Sequence, residues 1–286
     1  MTGRVVNVKT VLGALALVLA LCGAARAELA RLEGRFVQGG VVFGTTEPGA
    51  RVTLNGRTLR VSGAGRFVFG FGRDAADKAR LVVVLPDGRR EERELIVGTR
   101  QYRVQRIDGL PAKMVTPPAE VLARIRADIE QVKAARAVDR AEPWFESGFI
   151  WPALGTITGV FGSQRILNGE PRRPHYGIDI AAAAGTPVRA TADGVVAIAR
   201  SDMYYTGGTV LLDHGHGLTS AYSHLKEVAV RQGQTVRQGE TLGTVGSTGR
   251  STGPHLDWRI NWFEERLDPA FFVPAMPTAE AKAKED

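Results

Sequence analysis

Cysteine is almost absent from this 286-residue chain, which contains a single one, Cys22. It lies near the N-terminus, inside a segment with the features of a cleavable leader, so the remaining chain would hold no thiol. A protein without thiols cannot form a disulfide, use a thiolate nucleophile or bind zinc through cysteine. Any catalytic or metal chemistry must therefore depend on other side chains.

Other scarcities narrow the class of protein. No lysine-rich block and no stripe of basic and aromatic residues is present, although the formal net charge is +7. A nucleic-acid partner is therefore not expected. Histidine is also scarce, and all five histidines fall between His175 and His255. With 44% hydrophobic and 23% charged residues, the chain has the balance of a globular protein long enough for two domains.

Residues 1–27 are predicted to be a signal peptide. Arg4 and Lys9 precede an apolar run from Val11 to Ala24, and the small-residue triplet ARA ends at Ala27. The run has about 14 residues, fewer than the ~20 that span a bilayer. Export and cleavage are therefore favoured over a membrane anchor. We expect a periplasmic or extracellular protein with no stable membrane insertion after cleavage.

The rest of the sequence divides into four predicted segments: a small accessory β-sandwich at 28–112, a linker helix at 113–143, a second β domain at 144–273 and a disordered tail at 274–286. Both β segments have short apolar or alternating runs between turn residues, and the second is richer in glycine. In the first, Asn55-Gly56 and Asp87-Gly88 are typical of tight hairpins. The predicted fold class is mostly β, with an antiparallel N-terminal sandwich and a C-terminal barrel or sandwich.

The linker helix is predicted from its start signal and its apolar spacing. Thr116 can cap the free amides, and Pro117 suits the first turn. Apolar residues then recur every three or four positions, at Val121, Leu122, Ile125, Ile129 and Val132. We expect this stripe to pack against the core or a neighbouring domain rather than to bind a partner.

The candidate chemistry lies in the second β segment. His175 and Asp179 are four residues apart, and His255 and Asp257 are two apart, so on extended strands each pair would point to one face. His224 follows another apolar run. Three segments can thus bring imidazoles and carboxylates to one pocket. Three nitrogen or oxygen ligands with an open position for water are the chemistry of a catalytic zinc site.

Two other motifs have alternative interpretations. His214 and His216 have spacing suitable for metal ligands, but they sit in a glycine turn, so a solvated hairpin tip is the favoured interpretation. The loop from Gly246 to Gly253 is glycine-rich, yet it lacks the Gly-Lys-Ser/Thr ending of a phosphate-binding loop. We interpret this loop as a wall of a substrate groove.

The order of three motifs resembles a known family. The segments HYGID, AYSHLKEV and RQGQTVRQGETLGTVGSTGRSTGPHL are similar to those of the lysostaphin-like (LytM-type) zinc metallopeptidases, which cut peptide cross-links in bacterial peptidoglycan. The resemblance covers about residues 150–262 and implies a barrel-like sandwich built on a duplicated hybrid motif. It also implies that His175 and Asp179 bind Zn²⁺, and that His224 and His255 are the catalytic imidazoles.

The chain departs from the family pattern at the third ligand. The family has His-x-His, whereas this sequence has His255-Leu256-Asp257. A carboxylate oxygen and an imidazole Nδ1 both lie two bonds beyond Cβ, so Asp257 can reach a metal from the same backbone position. Zinc accepts carboxylate oxygen at about the distance it accepts imidazole nitrogen, ~2.0 to 2.2 Å. Two carboxylates cancel the charge of the dication, so a bound water would be less acidic and harder metals would compete better.

Two functions follow from the resemblance. The first is an exported zinc endopeptidase that acts on peptidoglycan peptides. The second is a non-catalytic relative that binds and activates other cell-wall hydrolases or takes part in cell division. Asp257 favours the second function, whereas the four convergent residues His175, Asp179, His224 and His255 favour the first.

Overall fold

The computed structural model of the protein describes residues 28–107, 119–167 and 169–277. The predicted signal peptide, Thr116 and Pro117 lie outside those residues. Within them, no helix is both long and apolar enough to cross a membrane. The described chain is mostly β with one α-helix, which confirms the predicted fold class.

Two small antiparallel sheets make up the N-terminal half. Their strands are β1 (Ala30–Gly34), β2 (Val41–Thr46), β3 (Arg51–Leu54), β4 (Arg57–Leu59), β5 (Arg66–Gly70), β6 (Lys78–Val84) and β7 (Arg90–Ile96). One sheet has the order β1-β2-β5 and the other β4-β3-β6-β7. Burial alternates along β6, as expected of a strand with one face in the core, and the inward residues Val52, Phe69 and Leu81 are almost completely buried.

The two predicted tight turns differ in backbone conformation. Asn55 and Gly56 both have positive φ, 49° and 83°, as a two-residue hairpin requires, and they join β3 to β4. At the second turn only Gly88 has positive φ, 88°. There the N–H of Leu85 donates to the carbonyl of Arg89 at 2.9 Å, so the turn closes over a longer loop.

The helix α1 (Leu122–Arg136) follows a single 3-10 turn, and its predicted start lies outside the described residues. Its N-cap residue is Val121, which makes no side-chain capping hydrogen bond. The predicted apolar stripe is wrong at Ile129, which is 46% exposed. Ile125 is buried, and Val132 packs on a cluster within the C-terminal sheet.

The remaining strands are β8 (Val104–Ile107), β9 (Thr156–Gly159), β10 (Gln164–Leu167), β11 (Glu170–Pro171), β12 (Ile178–Ala181), β13 (Pro187–Arg189), β14 (Gly194–Met203), β15 (Gly207–Asp213), β16 (Leu218–Val228), β17 (Thr235–Val236), β18 (Thr241–Val245), β19 (His255–Trp262) and β20 (Glu265–Leu267). Ten of them form one sheet whose main path is β17-β14-β15-β16-β19-β12-β9. Its inner face carries buried residues such as Leu212, Tyr222 and Trp258. The opposite face of β14, β15 and β16 carries Ile198, Leu211 and Ala221, on which α1 packs.

The two halves are joined by backbone and side-chain contacts. β8 pairs in parallel with β10, in a small sheet of order β11-β10-β8. One buried core cluster contains Phe69 of the first half and Leu267 of the second. Arg100 also forms an ion pair with Asp268 at 2.9 Å. The predicted domain boundaries themselves stay predictions.

His214 and His216 are buried, so the prediction of a solvated hairpin tip is wrong. His214 Nδ1 lies 2.6 Å from the carbonyl oxygen of Asp193, and its Nε2 lies 2.7 Å from the hydroxyl of Ser220. His216 Nε2 lies 3.2 Å from the carbonyl oxygen of Ala141. These hydrogen bonds satisfy both ring nitrogens of His214 and the Nε2 of His216, whereas His216 Nδ1 is buried without a hydrogen-bond partner in the described chain.

The first residues of the predicted tail contact the rest of the chain. Trp151 Nε1 donates to the carbonyl of Pro274 at 2.9 Å, and Met276 packs against the core. Residues 278–286 lie outside the described residues.

Candidate metal centre and catalytic site

Two carboxylates face each other across neighbouring strands. β12 and β19 are antiparallel, and their register puts Asp179 directly opposite Asp257. The residues on either side of Asp179, Ile178 and Ile180, are buried in the core. Because side chains alternate along a strand, both carboxylates lie on the face away from those isoleucines. Directly opposed Cβ atoms are about 4.5 to 5.5 Å apart, close enough for the two groups to share one ion.

His175 reaches this pair from a loop rather than from a strand. It precedes β12, so the expectation that His175 and Asp179 share one extended strand is wrong. The backbone N–H of His175 donates to the carbonyl of Ser163 at 2.7 Å, and its own carbonyl accepts from Gly162 at 2.8 Å. These bonds hold the imidazole with Nε2 3.2 Å from Asp179 Oδ1. This Nε2 is buried and has no hydrogen-bond partner in the described part of the chain.

One ligand atom from each of His175, Asp179 and Asp257 lies within 4.8 Å of the others. Zinc bonds of about 2.0 to 2.2 Å in a tetrahedron put neighbouring ligand atoms roughly 3.3 to 3.6 Å apart. The distance between His175 Nε2 and Asp179 Oδ1, 3.2 Å, already has nearly this value. One imidazole and two carboxylates fit zinc and also harder divalent ions.

His224 and His255 lie beside this group with their rings 4.7 Å apart between centroids. His224 Nδ1 lies 2.8 Å from the carbonyl oxygen of Thr248, and His255 Nδ1 lies 2.9 Å from that of Gly253. A carbonyl oxygen only accepts, so each Nδ1 carries a proton, and in the neutral ring each Nε2 keeps a free lone pair. His255 Nε2 is 3.9 Å from Asp179 Oδ1. Burial lowers the pKa of His224 below its usual value, which favours the neutral base near pH 7.

The position of His224 depends on an unusual backbone conformation. In a regular strand His224 would share the core face with Tyr222, because the two are two residues apart. Instead His224 has φ 66°, and the pairing of β15 with β16 shifts register beside it. Such bulges re-aim side chains and are frequent near active sites. The imidazole is thereby directed to the face that carries Asp257 and His255.

The glycine-rich loop from Gly246 to Gly253 supports both imidazoles, a role that its prediction as a groove wall did not include. It supplies the carbonyl acceptors at Thr248 and Gly253. The Thr248 hydroxyl also donates to the carbonyl of Leu225 at 2.8 Å and accepts from the N–H of Gly208 at 2.9 Å. The loop therefore fixes the tautomer and direction of the two histidines.

Sequence reasoning missed Arg259. Its Nε lies 2.9 Å from Asp257 Oδ1 and 3.1 Å from Oδ2, and its Nη2 also donates to Oδ2. Burial alone would raise the pKa of Asp257, but the charge and hydrogen bonds of Arg259 hold it at about 2. The two-residue period that links His255 to Asp257 continues to Arg259, so the same rule would have found it.

Comparison with known proteins identifies relatives of the C-terminal half of the chain. The sequence profile described as Peptidase family M23 matches residues 173–269. The chain is 45% identical over 124 residues to the DD-carboxypeptidase/endopeptidase Mpg of Neisseria meningitidis, which covers 43% of this chain and 28% of that protein. It is 30% identical over 233 residues to the peptidoglycan DD-endopeptidase ShyA of Vibrio cholerae, covering 74% of this chain and 53% of that protein. The chain thus spans about half or less of the length of these relatives.

A solved structure covers more of the chain. A crystal structure of a Pseudomonas aeruginosa protein assigned to peptidase M23 has a TM-score of 0.65 and 30% sequence identity. The similarity extends over 83% of this chain and 95% of that one, so it includes both β halves. The chain belongs to peptidase family M23.

Proposed function

We propose that this protein is an exported zinc-dependent endopeptidase that hydrolyses peptide cross-links of bacterial peptidoglycan. The observation that carries the proposal is the convergence of His175, Asp179 and Asp257, with ligand atoms within 4.8 Å of one another. Two further imidazoles with free Nε2 atoms lie beside them. ShyA is named a peptidoglycan DD-endopeptidase and Mpg a DD-carboxypeptidase/endopeptidase, and both names support this substrate class.

In this proposal the metal is held by His175 Nε2 and by one carboxylate oxygen each of Asp179 and Asp257. A bound zinc ion would supply Lewis acidity for the scissile carbonyl and would lower the pKa of water. Arg259 restores part of the positive charge that two carboxylates remove, because it is ion-paired with Asp257. The site therefore does not carry the full anionic charge that its ligand set alone would give it.

His224 and His255 have the proton-transfer roles. The Nδ1–H of each is bound to a backbone carbonyl, so the neutral form of each ring has its lone pair on Nε2. One Nε2 can accept a proton from the attacking water, and once protonated it can return that proton to the leaving amine. The other, when protonated, can donate a hydrogen bond to the oxygen on which negative charge develops.

A specific observation favours a second function, that of a non-catalytic module that binds peptidoglycan peptides or other cell-wall hydrolases. Arg259 occupies both oxygens of Asp257, so the third ligand already has a cationic partner without a metal. A protein that never binds metal would be stabilised by this ion pair. The two functions differ in whether the purified protein holds metal and cuts.

Metal analysis of the purified protein, paired with release of soluble peptides from purified peptidoglycan, separates the two. The peptidase predicts about one zinc per chain and peptide release that chelation abolishes and added zinc restores. The His224→Ala variant is the matched control and should release no peptide. Absence of both bound metal and peptide release, with His224→Ala indistinguishable from the unaltered protein, would refute the peptidase and favour the binding module.

A further inference from the structure

A second site adjoins the candidate metal centre, on the same sheet face. Arg266 on β20 pairs with Asn261 on β19, and its Nη1 donates to the Asn261 side-chain oxygen at 3.2 Å. Because residues two apart share a face, Asn261 lies on the face of Arg259 and Asp257. The guanidinium carbon of Arg266 lies 5.4 Å from the centre of the Tyr176 ring. Tyr176 directly follows His175, so Arg266 is close to the metal centre without being part of it.

The charge of Arg266 has no anionic partner among the described residues. No carboxylate lies within 4.0 Å of its nitrogens there, whereas Arg259 has Asp257. The charged guanidinium groups that act on Arg266 are those of Arg259 and Arg173, and only the Tyr176 hydroxyl acts in the opposite direction. Burial and these like charges lower the pKa of Arg266 to about 10, so it remains a cation at neutral pH. Partial burial of a cation beside like charges raises the free energy of the folded protein unless an anion pairs with the cation.

The end of α1 adds a third guanidinium. Arg136, in the last turn of the helix, is close enough to Arg259 and Arg266 for their charges to lower its pKa, although burial is the larger cause. Its Nε is buried without a hydrogen-bond partner in the described part of the chain. Arg136, Arg259 and Arg266 thus lie near one another, and Asp257 pairs with Arg259 rather than with Arg266.

Arg266 also lines a cavity of about 500 Å³ between the two halves of the chain. The cavity is bounded by the β3–β4 and β19–β20 hairpins and by Tyr176, and its size suits part of a peptide. Glu265, the next residue along β20, also lines the cavity. It points to the opposite face of the strand, where the backbone of Gly72 donates to its carboxylate.

The other cations that line this cavity already have partners. Arg57 pairs with Glu264 at 3.4 Å, and Arg73 pairs with Asp74 and donates to the carbonyl of Gly162. Among the described residues that line the cavity, Arg266 is thus the arginine that has no carboxylate partner. Its planar fork is suited to bind a carboxylate through two parallel hydrogen bonds.

We propose that Arg266 binds a carboxylate of the peptide substrate, and that the cavity between the two halves is a substrate subsite beside the metal centre. The inference deepens the proposed function and rests on it for the identity of the ligand as a peptide. The carboxylate is either the C-terminal one or that of an acidic side chain. Both sources present the same planar anion, and the N-terminal half contributes the far wall of the subsite.

The test is equilibrium binding of three forms of one peptidoglycan-derived stem peptide to the zinc-loaded and the chelator-treated protein. One form is unmodified, one has its C-terminal carboxylate amidated, and one has its side-chain carboxylates amidated. Amidation of the bound carboxylate should weaken binding about 10- to 100-fold, because a hydrogen-bonded charge pair is lost. The form that shows this loss identifies the source of the carboxylate.

Variants then assign the effect to Arg266. Arg266→Gln should weaken binding of the unmodified peptide by the same factor and leave binding of the sensitive amidated form unchanged, whereas Arg266→Lys should keep part of the preference. Arg31→Gln is the matched control and should change binding less than about threefold, because its guanidinium is exposed, is paired with Glu33 and lies outside the cavity lining. Thermal unfolding of each variant tests whether it is folded.

Equal binding of all three peptides by the unaltered protein would overturn the subsite, as would an equal loss for acid and amide forms in Arg266→Gln. An equal loss in Arg31→Gln would overturn the assignment to Arg266. Cleavage without a carboxylate preference would refute the subsite and leave the peptidase intact. Carboxylate-dependent binding without any cleavage would refute the peptidase and leave the subsite intact.

Discussion

Asp257 accepts hydrogen bonds from Arg259 through both of its carboxylate oxygens, and both side chains lie on the face of β19 that also carries His255. The carboxylate that stands at the position of the family's second histidine is therefore balanced by a cation two residues further on. In the protein without metal, this ion pair neutralises one of two opposed carboxylates. If a metal binds Asp257 as proposed, Arg259 would lie close to the dication and would weaken its binding by charge repulsion.

Removal of Arg259 should separate these two effects. In Arg259→Gln without metal, Asp257 is left as an unpaired buried charge next to Asp179, and the free energy of unfolding should fall by about 3 kcal/mol. Zinc should stabilise this variant more than it stabilises the unaltered protein, with affinity at least about tenfold higher, because the repelling cation is gone. Thermal unfolding in chelator and in zinc measures both. An equal zinc-induced stabilisation in the two proteins would contradict the account.

The proposed roles of His175 as a ligand and His224 as a proton-transfer group predict opposite results for metal content. His175→Ala should lose bound metal, because an imidazole ligand is removed. His224→Ala should keep the metal and lose peptide release by about 10² to 10⁴-fold, the usual range for a general acid–base group. Metal content and peptide release are measured on the same samples. Loss of metal in His224→Ala would instead make His224 a ligand.

His214 should make the protein less stable in acid. Burial lowers its pKa from 6.5 to about 4, so the unfolded chain binds a proton in this interval that the folded chain does not. The contribution of His214 to the free energy of unfolding is unaffected above about pH 6.5, falls as the pH drops and is about 3 kcal/mol lower below pH 4. Urea unfolding from pH 4 to 7 measures the change. His214→Gln should show a smaller decline, and an equal decline would contradict this role.

Two isoleucines of α1 should differ in their effect on stability. Ile125 is 7% exposed and Ile129 is 46% exposed. Ile125→Ala should lower the free energy of unfolding by about 2 to 3 kcal/mol, whereas Ile129→Ala should change it by less than about 1 kcal/mol. Chemical denaturation measures both. Equal losses of stability in the two variants would contradict this difference and would support the continuous apolar stripe that the sequence predicts.

Much of the site can be predicted from residue type and spacing, because side chains two residues apart on a strand lie on the same face of the sheet. The spacing of His255 and Asp257 predicts their common face, and extending it by two positions reaches Arg259. His175 converges for a different reason, since it lies on a loop held by backbone hydrogen bonds. The four-residue spacing correctly predicts that His175 lies near Asp179, but it wrongly predicts that both residues are on one strand.

His224 could not be placed by pattern. Strand parity assigns it to the core face beside Tyr222, and only its positive φ and the adjacent register shift turn it toward the site. For His214 and His216 the sequence predicts exposure to solvent, whereas the structure buries both side chains. Glycine turns are usually solvated, but here tertiary hydrogen bonds to Asp193, Ser220 and Ala141 allow both rings to be buried.

The zinc affinity of two variants at position 257, measured by competition with a chromophoric chelator, tests most directly whether Asp257 is the third ligand. Asp257→Ala should bind zinc at least about 100-fold more weakly than the unaltered protein, because a ligand is lost. Asp257→His should bind it more tightly, because a nitrogen ligand replaces the carboxylate at the same reach. Unchanged affinity in both variants would contradict the account, since Asp257 would then lie outside the metal's coordination sphere.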